Sequence, residues 1–204
     1  TEGLYLGAYS FSRYKKGEEK SGPVTLQVVT DDQQTVTEVI QRAQKITAAV
    51  NLAREWGHEP ANVINPLTLA ERAMELAKKY QLPIKILTDT QLEAMGAGAI
   101  HAVGKGSATP SRLIIIEYPG KDPTTRPVVL VGKAITFDTG GYSLKSTENI
   151  LGMKYDKCGG LAVLGTIQAC AELQLDTPVV GIVAAAENMI CDHAYRPDDI
   201  ITTL

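Results

Sequence analysis

The sequence predicts an α/β domain with a mostly parallel sheet and helices on both faces of that sheet. Two observations lead to this prediction. From residue 84 onward, short apolar runs alternate with segments whose apolar residues follow helical spacing. Three of these runs are almost continuously apolar, as expected of strands buried on both faces: residues 112–118, 127–131 and 178–186.

The composition indicates an ordinary globular protein and excludes some partners. The chain has 204 residues, enough for one domain or for one domain and a piece of another, with 44% hydrophobic and 21% charged residues. A net charge of −3 gives no support for binding to nucleic acid or to an anionic membrane. No apolar run approaches the ~20 residues of a membrane span, and the N-terminus lacks the pattern of a secretory signal.

The cysteines and histidines do not form a known metal or disulfide pattern. Three cysteines at wide spacing (Cys158, Cys170 and Cys191) contain no C-x-x-C pair, so reduced thiols in a cytoplasmic protein are the simpler interpretation. Three histidines lie far apart and form no H-E-x-x-H zinc-protease motif. Any metal site must therefore use other ligands.

The first 34 residues predict two short elements. Aromatic residues between Tyr5 and Tyr14 predict one face of a helix, and V-T-L-Q-V-V at 24–29 predicts a short strand. A strand needs sheet partners, and nothing upstream supplies them. Neither element is typical of the start of a domain.

Two helices follow. Thr35 with Glu38 forms a capping-box pattern before apolar positions at helical spacing, which predicts a long connecting helix over 35–57. After an irregular crossing, Thr68 with Glu71 repeats the pattern before a second helix, which ends before Pro83. We place a domain boundary at residues 55–60.

The rest of the chain alternates strands and helices. I-K-I-L at 84–87 predicts a strand, and a short helix follows through Leu92. The segment 159–173 predicts a helix with leucine, isoleucine and alanine on one face. Together with the three apolar runs, these elements make up the α/β pattern.

The charged residues between 130 and 156 are the most informative. Lys133 comes at the end of the strand predicted over 127–131, and Asp138 precedes two glycines in a turn. In α/β sheets, ligands bind beyond the carboxyl ends of the strands. Carboxylates beside a neutral amine can hold divalent metals without histidine, and a further lysine can polarise a carbonyl.

Each of these residues also has an ordinary structural interpretation. Asp138 can form an Asx turn over the glycines, and Asp156 can cap the following helix. Lys145 and Lys154 are compatible with solvated surface lysines. Lys133 is the least ordinary, because its neighbours are apolar and a buried lysine can lose its proton and become a ligand or base.

Other chemistries are excluded or disfavoured. G-K-G-S at 104–107 lacks the first glycine of a phosphate-binding loop, since Ala99 occupies that position. No G-x-S-x-G nucleophile elbow is present. Cys158 near a helix start is better explained as an inert small hydrophobe than as a reactive thiol, and His193 as a loop residue.

The segments V-G-K-A-I-T-F-D-T-G-G at 131–141 and M-K-Y-D at 153–156 together resemble the metal-binding core of the leucyl (cytosol) aminopeptidases. The similarity continues in order along essentially the whole chain. The other matching segments are G-L-Y-L-G-A-Y-x-F-x-x-Y-K at 3–15, A-R-E-W-G-H-E-P-A-N-V-I-N-P at 53–66, V-G-K-G-S at 103–107, R-L-I-I-I-E-Y at 112–118, A-A-E-N-M at 185–189 and A-Y-R-P-D-D-I at 194–200.

This resemblance implies a hexameric two-metal aminopeptidase that removes N-terminal residues, often leucine, from peptides. Matched position by position, Lys133, Asp138 and Asp156 are metal ligands. Lys145 is the catalytic lysine that polarises the scissile carbonyl, and Met153 lines the pocket for the first side chain of the substrate. The implied cofactors are two Zn²⁺ or Mn²⁺ ions that activate a bridging water.

The resemblance also implies a division into domains. Residues 1–34 correspond to the end of the family's smaller α/β N-terminal domain, and 35–57 to the connecting helix. Residues 58–204 correspond to the first half of the catalytic domain. The family's N-T-D-A-E-G-R-L motif, which supplies the remaining carboxylate ligands and the arginine for a bicarbonate base, is expected soon after I-I-T-T-L. We therefore expect an internal piece of a longer enzyme, inactive by itself.

Several residues depart from the family pattern without removing a matched ligand: Thr139, Tyr142, Lys157, Ile190 and Asp198. Of these, Lys157 in place of a methionine and Tyr142 in place of an aliphatic residue could alter metal affinity or substrate preference. The alternative function is a non-catalytic structural or interaction role, or the DNA binding of some family members, which the net charge of −3 does not support.

Overall fold

The computed structural model describes residues 1–16, 25, 27–122, 124–191, 193, 194 and 203, and it confirms the α/β class. The described elements, in chain order, are α1 (Glu2–Gly7), α2 (Gln33–His58), α3 (Pro66–Tyr80), β1 (Ile84–Thr88), α4 (Asp89–Ala94), α5 (Gly98–Gly104), β2 (Arg112–Tyr118), β3 (Val128–Asp138), α6 (Thr147–Ile150), a 3-10 helix (Met153–Lys157), α7 (Cys158–Leu173) and β4 (Val179–Asn188). None of the described helices is long and apolar enough to cross a membrane.

The sheet has the order β1-β2-β4-β3, with β1–β2 and β2–β4 antiparallel and β3–β4 parallel. The prediction of a mostly parallel sheet is therefore wrong for the described strands, since one pairing in three is parallel. Residues 119–127 between β2 and β3 are too few for the crossover of a dozen or more that parallel strands need. The connection from β3 to β4 is longer and contains α7, and the two strands that it joins are parallel.

The hydrophobic core lies between one face of the sheet and helices α3 and α7, with α2 packed on the outside of α7. Its centre is formed by aliphatic side chains that are fully buried: Ile64, Leu69, Ile114, Ile116, Leu161, Leu164, Ile167 and Val183. On the opposite face, α5 approaches the end of β4 at Ala186. Val129 and Val131 of β3 are exposed there, so the described helices cover this second face only in part.

Strand β3 continues seven residues beyond its predicted end at 131, and ends at Asp138. The reason is its partner: β4 pairs with β3 from Val179 to Asn188, across a register shift between Ile135 and Asp138. Lys133 therefore lies inside the strand, and the prediction that it follows the strand end is wrong. Asp138 is the residue at the carboxyl end.

The helix starts also differ from prediction. Helix α2 begins at Gln33 because the Asp32 side chain accepts a hydrogen bond from the Thr35 N–H, so Thr35 is not the cap. Helix α3 begins at Pro66, capped by Asn65, with Thr68 completing the capping box from the third helical position. The predicted caps, Thr35 and Thr68, each lie three residues after the observed ones.

The structure tests some of the predictions made for the first 34 residues. Helix α1 ends at Gly7, so Tyr9 and Tyr14 lie outside it, contrary to the predicted helix face. Of the strand predicted over 24–29, residues 24 and 26 lie outside the described residues, and residues 27–29 do not form a strand.

Two glycines bring β3 and α7 into backbone contact. A Cβ atom on Gly132 would lie 2.6 Å from the Cα of Gly160, and one on Gly160 would lie 2.6 Å from a methyl of Val183. Side chains at these positions would push the helix away from the strand. The contact fixes the start of α7, and therefore the 3-10 helix that precedes it, against β3.

Candidate metal centre

The structure pairs Lys133 with Asp156. The Lys133 Nζ donates a hydrogen bond to Asp156 Oδ1 at 2.7 Å, which joins β3 to the 3-10 helix. The second carboxylate oxygen, Oδ2, is buried and has no hydrogen-bond partner. A buried acceptor without a partner costs free energy unless a ligand satisfies it.

The sequence-based expectation that Lys133 is buried among apolar neighbours is wrong. Its side chain is 61% exposed, and Val131 beside it on the same face is also exposed. Alternate residues of a strand point to opposite faces, and Lys133 points to the face that the described helices leave partly open. Burial therefore does not distinguish this lysine from an ordinary surface lysine.

A second pair joins Lys145 to Asp138. The Lys145 Nζ donates to Asp138 Oδ2 and, at 3.3 Å, to the Asp138 carbonyl oxygen. The other carboxylate oxygen, Oδ1, accepts hydrogen bonds from the Gly140 N–H at 2.9 Å and from the Asn188 amide at 2.7 Å. Burial by itself would raise the pKa of Asp138, but these three donors hold it below the ordinary value of 3.8.

The bond from Gly140 to Asp138 is the Asx turn considered as an alternative from the sequence, so Asp138 forms this turn and an ion pair together. Gly140 and Gly141 have φ values of +86° and +63°, which side chains disfavour. The turn brings the chain back so that the Lys145 N–H donates to the Thr139 carbonyl at 2.9 Å. Lys145 is therefore held by the loop and is not a solvated surface lysine.

The predicted site residues thus form two separate pairs. Among the described residues, no hydrogen bond or ion pair joins Lys133–Asp156 to Lys145–Asp138. Met153 is half-buried at the start of the 3-10 helix. A cavity of about 380 Å³ lies beside it, lined by Pro60, Ala61, Asn62, Phe137, Ile150, Leu151, Gly152 and Lys154. The residues on either side of Met153 line this cavity, and Met153 itself does not.

The described residues supply some, but not all, of the ligands that a divalent metal ion needs. Asp156 offers a buried carboxylate oxygen that lacks a partner, and Asp138 offers an ionised carboxylate. Such oxygens are typical ligands of divalent ions. Within the described ranges, no cluster of three or more His, Cys, Asp or Glu side chains is present. Two carboxylates and one lysine amine are too few to complete two metal sites.

Sequence reasoning missed Asn188 as a site residue. The buried Asn188 side chain donates to Asp138. The backbone carbonyl oxygen of Asn188 accepts from the Thr139 N–H and hydroxyl at 3.0 and 2.9 Å. The signal was available in the sequence, since Asn188 follows a buried strand at 178–186. The strand-end rule that selected Asp138 applies equally to it.

The positions that depart from the family pattern have distinct environments. Lys157 is completely buried, its Nζ donates to three backbone carbonyl oxygens, and burial lowers its pKa to about 8. The half-exposed Tyr142 donates its hydroxyl to the Cys191 carbonyl at 3.0 Å. Thr139 is buried, Ile190 is exposed, and Asp198 lies outside the described residues.

The loop position predicted for His193 is confirmed, while the reduced state of the cysteines stays a prediction. All three thiols are free, and burial raises the pKa of the Cys158 and Cys170 thiols. A raised pKa makes a thiol less nucleophilic at neutral pH, which agrees with an inert Cys158. His193 lies in an exposed turn.

Comparison with known proteins identifies a family. A model described as "Cytosol aminopeptidase family, catalytic domain" matches residues 51–204. A probable cytosol aminopeptidase of Nitrosococcus oceani is 42% identical over 205 positions, covering 100% of this chain and 41% of the relative. One from Aquifex aeolicus is 44% identical, covering 98% of this chain and 40% of the relative. The chain thus spans about two fifths of the length of these relatives.

Two solved structures share the fold. The apo leucyl aminopeptidase from Trypanosoma cruzi matches with a TM-score of 0.77 and 34% identity, covering 79% of this chain and 32% of that protein. The bottromycin maturation enzyme BotP, solved in complex with Mn, matches with a TM-score of 0.84 and 33% identity. That match covers 98% of this chain and 41% of BotP.

Proposed function

The chain belongs to the cytosol aminopeptidase family, and we propose that it supplies part of a metal-dependent aminopeptidase that releases N-terminal residues, preferably leucine-like ones, from peptides. The observation that carries this proposal is the Lys133–Asp156 pair, in which one carboxylate oxygen is buried without a partner. A protein-bound cation is the simplest group to satisfy that oxygen. Both residues lie in the segments that carry the family resemblance.

In this proposal, Lys133, Asp138 and Asp156 hold two divalent ions, Zn²⁺ or Mn²⁺. The Mn bound in the BotP structure supports the use of such an ion. When bound, the ions would supply an activated water and polarise the scissile carbonyl. Asp138 is already ionised and oriented for this role by the donors around it.

Lys145 is the catalytic lysine of the proposal. Its ammonium has three N–H donors, and Asp138 occupies two of them through its carboxylate and carbonyl oxygens. The remaining donor can reach a substrate carbonyl oxygen as negative charge develops on it. The role of Met153 is to contact the first side chain of the peptide, next to the cavity lined by Gly152 and Lys154.

The proposal extends to the organisation of the enzyme. Residues 1–34 are the end of an N-terminal domain, 35–57 connect it, and 58–204 form the first half of the catalytic domain. The complete enzyme is a cytosolic homohexamer that uses bicarbonate as a base. The coverage of only two fifths of the relatives supports the view that this chain is one part of a longer polypeptide.

The test compares residues 1–204 with the full-length polypeptide. We expect the full-length protein to hydrolyse leucine p-nitroanilide with added Mn²⁺, and residues 1–204 to bind at most one ion, weakly, without turnover. Three candidate ligands are too few for two ions. Supplying the remaining portion in trans should restore some activity.

Metal-dependent turnover by residues 1–204 alone would contradict the proposed division of the site. A full-length protein without metal-dependent hydrolysis would instead favour a non-catalytic structural or interaction role. Metal content measured on both polypeptides separates these results, because a non-catalytic protein has no need to retain the ions.

A further inference from the structure

The C-terminal end of α2 is held by two lysines from the 3-10 helix. The last carbonyl groups of a helix lack partners within the helix and carry partial negative charge. Lys154 Nζ donates to the His58 carbonyl at 2.8 Å. Lys157 Nζ donates to the Gly57 and Glu59 carbonyls at 3.2 and 2.9 Å. Three consecutive carbonyl oxygens are therefore satisfied by ammonium groups rather than by water.

Lys157 is unusual because a buried ammonium ordinarily costs several kcal/mol of desolvation. Here the group also donates to the Lys154 carbonyl oxygen, so all three of its N–H donors have acceptors. The Glu59 carboxylate, itself completely buried, balances the charge nearby. That carboxylate accepts from Arg13 and Tyr14 of the N-terminal segment, which holds Glu59 in place from its other side.

The two lysines flank the proposed metal ligand. Asp156 directly precedes Lys157 and lies two residues after Lys154, so both ends of its short segment are attached to α2. The unpartnered Asp156 Oδ2 can face an ion only if this segment keeps its place. Hydrogen bonds that orient a ligand in this way typically change metal affinity when they are removed.

We infer that Lys154 and Lys157 form a two-lysine clamp that positions Asp156 by fixing the 3-10 helix on the C-terminal carbonyls of α2. The inference rests on the proposed function, because it takes Asp156 as a metal ligand. Position 157 is a lysine where the family has a methionine. The inference gives this lysine a positioning role that depends on its charge.

The experiment replaces each clamp lysine with methionine, which has similar length and no charge, in the full-length polypeptide. The matched control is Lys121→Met, since the ion pair that Lys121 forms within the described part of the chain is with the exposed Asp176 on the surface. Mn²⁺ affinity is measured by electron paramagnetic resonance titration, and amide hydrogen exchange is followed over residues 153–159. We expect Lys157→Met to weaken Mn²⁺ binding about 10–100-fold and to speed exchange in this segment. Lys154→Met should act in the same direction, more weakly, and Lys121→Met should change neither quantity.

A chemical rescue separates charge from packing. Lys157→Ala leaves room for propylammonium, and 1-propanol has a similar shape without the charge. Recovery of slow exchange with propylammonium but not with 1-propanol supports the clamp. Equal recovery with both, no recovery with propylammonium, or wild-type exchange and Mn²⁺ affinity in Lys157→Met would overturn it.

These readouts distinguish the clamp from the proposed function. If the unmodified full-length protein binds no Mn²⁺, the proposed function fails, and the exchange measurement still decides whether the lysines hold the segment. If Lys157→Met does not fold, Lys154→Met and the rescued alanine variant supply the same comparison.

Discussion

The two lysine–aspartate pairs of the site use the same chemistry in opposite ways. In the Lys145–Asp138 pair, both carboxylate oxygens accept hydrogen bonds, and the side chains are only 26% and 17% exposed. In the Lys133–Asp156 pair, the lysine is 61% exposed and one carboxylate oxygen has no partner. The first carboxylate is fixed by the protein before any ion arrives, whereas the second keeps a coordination position open.

This difference teaches that the function of a charged pair depends on what else contacts it. Both pairs join one lysine to one aspartate, yet only one of them is fully hydrogen-bonded. A fully bonded carboxylate is preorganised and ionised, and a partly bonded one is ready for a new ligand.

The largest expected effect comes from breaking the fully bonded pair at its lysine. In the full-length polypeptide, Lys145→Ala should keep both metals and lose roughly 10²–10³ in kcat, because the donor to the developing oxyanion is gone. Steady-state kinetics and metal analysis of the same preparation measure the two effects. Loss of metal together with activity would contradict this division of roles between Lys145 and the metal ligands.

The Lys133→Ala variant tests the Lys133–Asp156 pair, in which one carboxylate oxygen has no partner. If this lysine is a ligand, metal affinity at the tighter site should fall at least about 10–100-fold, the range seen even for residues that only orient ligands. Isothermal titration with Mn²⁺ measures the change, with Lys121→Ala as the control at an exposed pair. An unchanged affinity would refute the ligand assignment and leave Lys133 as a partner of Asp156 only.

Asn188→Ala sharpens the comparison by removing one of the three donors that hold the fully bonded Asp138 carboxylate. Loss of a buried hydrogen bond to a charged group should lower the free energy of unfolding by about 1.5 kcal/mol at neutral pH. Urea unfolding measures it. A change in stability below a few tenths of a kcal/mol would mean that the amide does not support Asp138.

The same variant predicts a pH dependence. Because the folded-state pKa of Asp138 lies below 3.8, its interactions stabilise the protein above pH 3.8, and this stabilisation is lost as the pH falls through the lower folded-state value. In Asn188→Ala the folded-state pKa should rise toward 3.8, so less stability remains to be lost at acid pH. Unfolding curves between pH 2 and 6 test this without added metal.

The smallest effect is expected at a third pair, Lys121–Asp176, whose side chains are 62% and 81% exposed. Exposed pairs typically contribute no more than about 1 kcal/mol, and salt screens them. Lys121→Ala should therefore leave metal affinity unchanged. It should change the free energy of unfolding by no more than about 0.5 kcal/mol. A larger loss of stability would show that the exposure of the side chains does not by itself decide how much each pair contributes.

The positions of the strands could be predicted from the sequence, whereas their directions could not. Apolar runs located the four described strands, because burial depends on the local pattern of side chains, although the run at 24–29 also predicted a strand that residues 27–29 do not form. Strand direction depends on which strand becomes the neighbour, and β2 and β3 are separated in the sheet by β4, which comes last in the sequence. Local patterns carry no information about that arrangement.

The sequence predicted which residues form the site, but it did not predict all of the contacts that they make. The segments that carry the resemblance located the residues of both pairs, and a strand-end rule could also have located Asn188. The exposure of Lys133 depends on which face of the sheet is covered, and the burial of Lys157 depends on carbonyl groups at Gly57 and Glu59, about 100 positions away in the chain. Such distant partners cannot be found from local spacing.

That separation between Lys157 and the end of α2 affects the order in which the protein can mature on the ribosome. Helix α2 is synthesised complete while its last carbonyls still face water, and 98 residues separate Glu59 from Lys157. At typical elongation rates of about 5–20 residues per second, roughly 5–20 s pass before the lysine emerges. Closing so long a loop adds little entropic cost, since each doubling of length adds only about 0.6 kcal/mol. The hydrogen bonds between the end of α2 and the segment containing Asp156 can form only after β1, β2 and β3 have been translated.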